Sequence, residues 1–333
     1  MWTALRNAIR GHETSQAESR GHKFEVDTMK NQILLKEIPM LHKNVSWSIP
    51  LVLVSGALFA TAASAQHFEQ VKGTLKSVAA GRNEVFGIDA KGLPWRYRAG
   101  REAFTKVSGA TSLVQIAVGG GTVSQLDEVW ALATGGALYH FNFSTGAFDK
   151  VSAPEFSQIA VGEGVEDNCH PYEVWGVVDG SSINRYSYCS NSFELLNSGP
   201  WSQVATGGGT VWGIDGQDTA NLFFNGGFLD VGGPVTQIAE GVNDMWAINS
   251  DQILHYDPNT SNGFVQISGT LKHIAAGGDG VWGVNAAGET FRWDFSSGAL
   301  VQVPTTLASI AVGSGAGVWG VNSSDEVFTF VRP

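Results

Sequence analysis

The sequence predicts an all-β protein, a seven-bladed β-propeller whose blades have four strands each. Three observations carry this prediction. A bulky aromatic residue recurs seven times in a motif close to V-W-G-[VI]-[ND], which indicates a repeat architecture. Each interval contains four short strand-like segments, as a propeller blade requires. The start of the repeat region also supplies the one strand that the last copy lacks.

The recurring aromatic residue marks the second strand of each repeat. The copies are numbered repeat 1 to repeat 7 after their aromatic residues, which are Phe86, Trp130, Trp175, Trp212, Trp246, Trp282 and Trp319. Successive aromatic residues are 34 to 45 positions apart. Because the neighbouring blades cover both faces of a blade, we expect these side chains to fill the gaps between sheets. Burial of each then contributes about 2–3 kcal/mol, and contact with a ligand is the alternative role.

The other three strands of a repeat surround this motif. The first strand has small residues, as in IAVG at 116–119, and these suit the crowded position next to a propeller axis. The third strand ends in an aromatic residue, as in LYHFN at 138–142, and the fourth follows the pattern F-x-x-V, as at 148–151. Short β-branched or aromatic segments bounded by Gly, Asn, Asp or Ser are typical of strands, and no window has a helical period.

The seventh repeat is one strand short. It starts at Leu307 and reaches Pro333 after only three strand-like segments. The stretch HFEQVKGT at 67–74 matches GFVQISGT at 263–270, which is the fourth strand of another repeat. We therefore expect the strand at 67–74 to complete the last blade and close the ring, which removes exposed sheet edges.

Residues 1–65 differ from the repeats. Residues 1–39 are polar and unpatterned, and we interpret them as a non-native upstream extension that stays disordered. Residues 40–65 combine Lys43, an apolar run and the sequence Ala-Ser-Ala at 63–65, which is typical of a signal peptide. A membrane anchor is the alternative. We expect cleavage before Gln66, so that 66–333 form the propeller, secreted or periplasmic, with no membrane span in the mature chain.

The chain has two cysteines, Cys169 and Cys189. In a secreted protein this favours an intrachain disulfide. Such a bond would close a loop of about 20 residues and contribute about 3 kcal/mol. A free buried pair is the alternative, and two cysteines alone make a poor metal site.

Charge and motifs exclude several classes of function. The net charge of −11 at pH 7 argues against nucleic acids and anionic membranes as partners. The sequence contains no G-x-S-x-G elbow, H-E-x-x-H motif or phosphate loop, so we expect no enzyme, no cofactor and no metal. The acidic residues of two long loops, at 119–128 and 162–173, lack the regular spacing of a Ca²⁺ site.

The stretch LKHIAAGGDGVWGVNAAGETFRW at 271–293 resembles a tectonin repeat, the unit of horseshoe-crab, fish-egg and fungal lectins. The resemblance covers about residues 75–333. It implies a secreted or surface-facing propeller that binds glycans, including bacterial lipopolysaccharide and methylated sugars. The chain departs from the family pattern in two ways. Its fourth strands carry Phe where family members usually have Trp, and it has seven repeats where the best-known members have six blades.

A basic residue recurs on the third strand, directly before its final aromatic residue. The residues at this position are Arg96, His140, Arg185, Phe223, His255, Arg292 and Thr329. Because side chains alternate along a strand, the basic and aromatic residues point to opposite faces of the blade. A hydrogen bond from the basic residue to a carbonyl or carboxylate of the next blade is one expected role. A repeated pocket for a sugar or an acidic glycan, formed by Arg96, His140, Arg185, His255 and Arg292, is the other.

These features together predict a lectin-like propeller with several weak, similar glycan sites between its blades. The alternative is a cell-envelope scaffold that binds a protein partner through the long loops at 119–128 and 162–173, because loops on a rigid fold commonly carry function. A propeller enzyme, such as a lyase or hydrolase, is the third and least supported interpretation.

Overall fold

The computed structural model describes residues 66–121, 126–164, 168–242 and 244–332. Within these ranges the regular secondary structure is made of β-strands and one 3₁₀ turn at Ala99–Arg101, in agreement with the all-β prediction. The predicted extension at 1–39 and signal peptide at 40–65 lie outside the described residues. None of the described residues belongs to a helix with the length and apolar character needed to cross a bilayer.

Repeats 1 and 7 share one sheet of eight strands. Strand β1 spans His67–Thr74. Repeat 1 contains β2 (Ser77–Ala80), β3 (Val85–Ile88), β4 (Pro94–Arg98) and β5 (Ala103–Lys106). Repeat 7 contains β26 (Ser309–Val312), β27 (Val318–Val321) and β28 (Glu326–Val331). The strand order across this sheet is β2-β3-β4-β5-β1-β28-β27-β26.

Repeats 2 to 6 each form a separate four-stranded sheet in chain order. Repeat 2 contains β6 (Leu113–Gly119), β7 (Glu128–Ala133), β8 (Leu138–Asn142) and β9 (Ala147–Val151). Repeat 3 contains β10 (Gln158–Glu163), β11 (Tyr172–Val178), β12 (Ser182–Ser187) and β13 (Ser192–Ser198). Repeat 4 contains β14 (Trp201–Gly207), β15 (Thr210–Asp215), β16 (Ala220–Phe224) and β17 (Gly227–Gly232). Repeat 5 contains β18 (Gln237–Glu240), β19 (Met245–Asn249), β20 (Gln252–Tyr256) and β21 (Phe264–Thr270). Repeat 6 contains β22 (His273–Gly277), β23 (Gly280–Val284), β24 (Glu289–Asp294) and β25 (Ala299–Thr306).

The structure therefore contains five separate four-stranded blades, not the seven that the sequence predicted. The difference arises where β5 and β1 meet, because the parallel pair formed by Lys72 and Ala103 joins the strands of repeat 1 to those of repeat 7. Strand β1 itself pairs antiparallel with β28 over five consecutive residue pairs, from His67 with Val331 to Val71 with Val327. The N-terminal strand thus supplies the fourth strand of repeat 7, as its sequence predicted.

The first strands of the repeats lie side by side around a central channel. Each contacts the first strands of both neighbouring repeats, and β26 contacts β2. Glutamine side chains link several neighbours: Gln158 Nε2 donates to the Val204 carbonyl at 2.9 Å, and its Oε1 accepts from the Val204 amide at 2.8 Å. The corresponding contacts are Gln115 with Ile159, Gln203 with Ile238 and Gln237 with Ile274. These amides satisfy backbone groups at the inner edge of each sheet, where buried N–H and C=O groups need hydrogen-bond partners.

The recurring aromatic residues pack between repeats. All seven are buried, with exposed fractions of 0 to 3%. Each makes an edge-on contact with the third-strand aromatic residue of the next repeat, at centroid distances of 4.6–5.0 Å. The pairs are Phe86–Phe141, Trp130–Tyr186, Trp175–Phe223, Trp212–Tyr256, Trp246–Trp293, Trp282–Phe330 and Trp319–Tyr97. Edge-on geometry is the favoured arrangement of aromatic rings, so these residues serve the packing of the ring.

The glycine that follows the aromatic residue also has a packing role. A Cβ atom built on Gly283 would lie 2.3 Å from Leu271 Cδ1, and both atoms belong to repeat 6. No side chain fits at that distance. The V-W-G-V motif thus places a large ring on one face of the second strand and leaves space on the other face for a buried leucine.

Candidate functional site

The predicted basic residues lie opposite the recurring aromatic residues in the sheets. In repeat 2, His140 pairs across the strands with Trp130, and in repeat 3 Arg185 pairs with Trp175. Arg96, His255 and Arg292 occupy the same register opposite Phe86, Trp246 and Trp282. Directly opposed residues place their side chains on one face of a sheet. The basic residue and the buried aromatic ring therefore share the face that meets the next repeat.

An acidic residue completes the group in four repeats. It stands two positions before the recurring aromatic residue, so that alternation brings it to the same face. The resulting acid–base pairs are Glu84–Arg96, Glu128–His140, Glu173–Arg185 and Asp244–His255. The indole N–H groups of Trp130, Trp175 and Trp246 also donate to the acidic residues of their own repeats.

These pairs overturn one expectation from the sequence. We expected each basic residue to bond a group of the next blade, but in these four pairs the acceptor lies on the second strand of the same sheet or directly before it. Arg96 does face the next repeat, because its guanidinium lies 5.5 Å from the ring centroid of Phe141. Its hydrogen-bonding capacity, however, is directed to Glu84, with Nε donating to Oε2 at 2.6 Å and Nη2 donating to Oε1.

The arginine pairs are closed and the histidine pairs are more open. Arg185 donates to both oxygens of Glu173, at 2.8 and 2.5 Å, and the side chains are only 11% and 2% exposed. His140 lies 2.6 Å from Glu128 and is 35% exposed, and His255 beside Asp244 is 34% exposed. Each histidine ring lies against its tryptophan, with centroids 4.5 Å apart in both repeats. Solvent reaches the two histidines but hardly reaches the arginines.

Repeat 4 lacks this acid–base pair. Leu222, not Phe223, lies opposite Trp212, so the sequence-based alignment of this strand was shifted by one residue. Thr210 takes the place of the acid, and its hydroxyl lies between the indole N–H of Trp212 and the carboxyl of Glu240 from the next repeat. Glu240 is 6% exposed and lines the central channel. Burial raises the pKa of this carboxyl well above its usual value, since desolvation disfavours the charged form.

Repeat 6 has the basic residue without the acid. Gly280 stands two positions before Trp282, where repeats 1 to 3 have glutamate. Nε of Arg292 is buried and has no hydrogen-bond partner among the described residues. Repeat 7 has neither group, since Gly317 and Thr329 occupy the two positions. Among the five predicted site residues, Arg292 is thus the one that the described part of the structure leaves without an acceptor.

The long loops of repeats 2 and 3 are described only in part, because residues 122–125 and 165–167 lie outside the described ranges. The Asp127 carboxylate accepts the backbone N–H groups of Arg82, Asn83, Glu84 and Gly121 at 2.7–3.1 Å. This anchors the loop of repeat 2 on repeat 1 and occupies the oxygens that a cation would need. A disulfide joins Cys169 to Cys189, with their Cα atoms 4.9 Å apart. No cluster of metal-ligating side chains occurs among the described residues.

The sequence contained a signal for these acid–base pairs that was missed. Glu84, Glu128, Glu173 and Asp244 look like ordinary loop residues when each repeat is read separately. Aligned by repeat, however, the acid appears only where the third strand carries a basic residue. That coincidence indicates pairing within the blade, because same-face neighbours on adjacent strands interact directly.

Comparison with known proteins supports the fold and the repeat. Residues 200–332 match the family described as Tectonin domain, and no curated protein matches the sequence. Among solved structures, YCF48 bound to D1 peptide has a TM-score of 0.60 at 12% identity and covers 80% of this chain and 97% of its own. YCF48 from Cyanidioschyzon merolae has a TM-score of 0.59 at 12% identity, covering 79% and 98%. The Myceliophteria thermophila Cps50 (Swd1) β-propeller domain has a TM-score of 0.60 at 9% identity, covering 79% and 99%.

At such low identity, the similarity to these structures shows the fold alone. The chain is an all-β propeller with four-stranded blades. The family match spans repeats 4 to 7, which contain the stretch at 271–293 that carries the tectonin pattern. Residues 200–332 therefore match the Tectonin family model, as the repeated motif predicted.

Proposed function

We propose that this protein is a non-enzymatic, lectin-like propeller that binds glycans between its repeats. The Tectonin match supports a glycan ligand through the resemblance to lectins. The observation that carries the proposal is the open indole–carboxylate–imidazole group of repeats 2 and 5, where His140 and His255 are about a third exposed. A carboxylate and an imidazole side by side offer both acceptors and a donor to neighbouring hydroxyl groups of a sugar.

The proposed sites are fewer than the five that the sequence predicted. Arg96 and Arg185 are held by both oxygens of their glutamates, and a ligand would have to break those bonds. We therefore assign sugar binding to the His140 and His255 pairs and a structural role to the two arginine pairs. Two equivalent weak sites on one rigid ring still allow avidity toward a repetitive glycan.

The test is a glycan array probed with the wild-type protein and with a His140→Gln/His255→Gln double variant. We expect the signal of the double variant to fall at least tenfold on every neutral glycan that the wild type binds. His67→Gln, a change of the same type at a histidine outside the two pairs, is the control and should bind as the wild type does. Equal binding by the double variant, or a blank array for the wild type, would contradict the proposal.

We also propose that the protein acts as a seven-bladed ring outside the cytosol. The seven aromatic contacts run from each repeat to the next and from repeat 7 back to repeat 1, which supports counting the two halves of the eight-stranded sheet as separate blades.

The Cys169–Cys189 disulfide supports secretion or a periplasmic location, since such bonds persist in oxidising compartments. Determination of the N-terminus of the secreted protein tests the predicted cleavage before Gln66.

A protein-binding scaffold is the second candidate function. Leu126, in the long loop of repeat 2, is 56% exposed, and its carbonyl accepts a hydrogen bond from the hydroxyl of Tyr172, the first residue of β11 in repeat 3. One of the similar structures is YCF48 bound to D1 peptide, so a propeller of this shape can bind a peptide. A photo-crosslinking residue at Leu126 tests this role, with the same residue at the exposed outer position Phe295 as control. A discrete crosslinked partner at 126 but not at 295 would favour the scaffold.

A further inference from the structure

Arg292 differs from the other arginines of the repeated position. Arg96 and Arg185 each donate two hydrogen bonds to a glutamate of their own repeat. Arg292 makes no hydrogen bond or ion pair with the described residues, and its Nε atom is buried. Its charge does act on Asp294, whose pKa is lowered first by the hydrogen bonds from Ser296 and Ser297 and then by Arg292. A buried guanidinium N–H group without an acceptor is costly and rare. An acceptor from outside the chain would satisfy this N–H group.

The space beside Arg292 matches the missing glutamate. A Cβ atom built on Gly280 would have one neighbour within 4 Å, Trp282 Nε1 at 3.6 Å. In repeat 3, the side chain at this position reaches Arg185 and the indole N–H of Trp175 with its carboxylate. The backbone of Gly280 has a φ of +107°, a conformation that side-chain-bearing residues rarely adopt. The chain thus leaves room for a carboxylate at a point where its own backbone disfavours a side chain.

The acidic residues next to these positions in the sequence are engaged elsewhere. Asp279 Oδ1 lies 3.2 Å from Arg332 Nη2, and its Oδ2 accepts the Gly317 amide at 3.0 Å. Asp294 accepts hydrogen bonds from the backbone and hydroxyl of Ser296 at 3.0 and 2.7 Å and from the hydroxyl of Ser297 at 2.9 Å. Neither carboxylate therefore takes the role that Glu173 has in repeat 3.

We propose that Arg292, Gly280 and Trp282 form a subsite for the carboxylate of an acidic sugar, a hexuronic acid residue within a glycan. The carboxylate would take the position of the missing glutamate and accept from the guanidinium in the two-point geometry seen for Arg185. Planar carboxylates suit that fork. This inference rests on the proposed glycan binding and adds a charge preference, at one repeat, to the neutral-sugar sites at His140 and His255.

The experiment is a titration of the full chain followed by saturation-transfer NMR, which detects millimolar binding. The probes are sodium D-glucuronate, methyl α-D-glucopyranoside as its neutral match, and sodium L-glutamate as a non-sugar carboxylate. We expect glucuronate to bind the wild type and its dissociation constant to rise at least tenfold in Arg292→Gln. Arg101→Gln, which removes the same charge from an exposed position, is the control and should leave binding unchanged.

A second variant tests the subsite without removing the arginine. Gly280→Glu would supply the carboxylate from the chain and should block the binding of glucuronate. Cooperative thermal unfolding of the variant shows that it is folded. If it does not fold, Arg292→Gln alone decides. Unchanged glucuronate binding in Arg292→Gln overturns the inference. Glutamate binding as tightly as glucuronate would overturn the assignment to a sugar acid in favour of an acidic peptide.

The two proposals fail in different ways. Loss of neutral-glycan binding in the double histidine variant concerns the proposed function and does not involve Arg292. If neutral glycans bind through His140 and His255 but glucuronate shows no dependence on Arg292, the subsite is wrong and the lectin function stands. If the array is blank for every glycan, the proposed function fails, whatever the behaviour of the small anions.

Discussion

At the scale of single residues, the positions that depart from the repeat pattern are the most informative about side-chain chemistry. Glu240 stands where the first strands of other repeats have alanine, valine or threonine, and its carboxyl is directed to repeat 4, one of the repeats without an acid–base pair. His273 stands where repeats 2 to 5 have glutamine. Each of these residues places a titratable group in a buried position, so each makes the stability of the fold depend on pH.

Glu240→Gln is expected to stabilise the protein at neutral pH. Burial raises the folded-state pKa of Glu240, so its contribution is complete below the unfolded value of about 4.3. Stability then falls as pH rises toward the folded-state pKa, because the unfolded carboxyl ionises first. The amide cannot ionise, so it removes this loss.

Urea unfolding at pH 4 and pH 7.5 measures this effect for Glu240→Gln, with Glu155→Gln as an exposed control. The wild type and the control should lose stability between the two pH values by a larger amount than Glu240→Gln does. Identical pH dependence in all three proteins would show that the buried carboxyl is not the cause.

His273→Gln is expected to stabilise the protein, because it adds one more glutamine contact between the first strands of neighbouring repeats. Nδ1 of His273 is buried without a hydrogen-bond partner among the described residues, and burial lowers the pKa of the ring. A glutamine there would face the backbone of Ile310 as Gln237 faces Ile274, and a hydrogen bond contributes about 1 kcal/mol.

The pH dependence of the stability gained in His273→Gln separates the effect of the new hydrogen bond from the effect of histidine protonation. Stability of the wild type should fall as pH drops through about 6.5, the unfolded pKa of histidine, because the unfolded ring binds a proton more readily than the buried one. His273→Gln should therefore exceed the wild type by more at pH 5 than at pH 8 in thermal unfolding. A variant less stable than the wild type at both pH values would refute the proposed contact.

At the scale of strands and sheets, the acid–base pairs connect the second strand of a blade to the third. Glu173 is buried and Arg185 is only 11% exposed, so removing one partner leaves an uncompensated charge. We expect Glu173→Gln or Arg185→Met alone to cost about 3–5 kcal/mol, whereas the double variant recovers much of the loss. A double-mutant cycle by chemical unfolding measures this coupling. Additive losses would mean that the pair does not act as a unit.

The strands were predictable from the sequence because period, turn residues and aromatic spacing repeat. The strand register and strand pairing that determine the geometry of the site were not predictable in this way. In repeat 4, two adjacent aromatic residues, Phe223 and Phe224, made the register ambiguous, and only the pairing of Leu222 with Trp212 resolves it. Repeats 1 and 7 are joined into one sheet by a single backbone pair, Lys72 with Ala103. The side-chain pattern of the sequence does not reveal such a backbone pair.

At the scale of the whole molecule, the ring depends on closure between its two ends. Each first strand touches its neighbours, and each recurring aromatic residue packs on the next repeat, but repeat 7 has only three strands of its own. Strand β1 provides the fourth through its pairing with β28, and Val71 carries the buried side chain of that strand. The proposed glycan sites need this closed arrangement, because His140, His255 and Arg292 lie on faces between repeats.

The most direct measurement of this closure is amide hydrogen exchange along β28 in Val71→Asp, compared with the wild type. Lys72→Asp introduces the same side chain at the next, exposed position and is the control. We expect the amides of Glu326–Val331 to lose protection in Val71→Asp and to keep it in Lys72→Asp, because the buried aspartate detaches β1. Equal protection of β28 in all three proteins would contradict closure of the ring by the N-terminal strand.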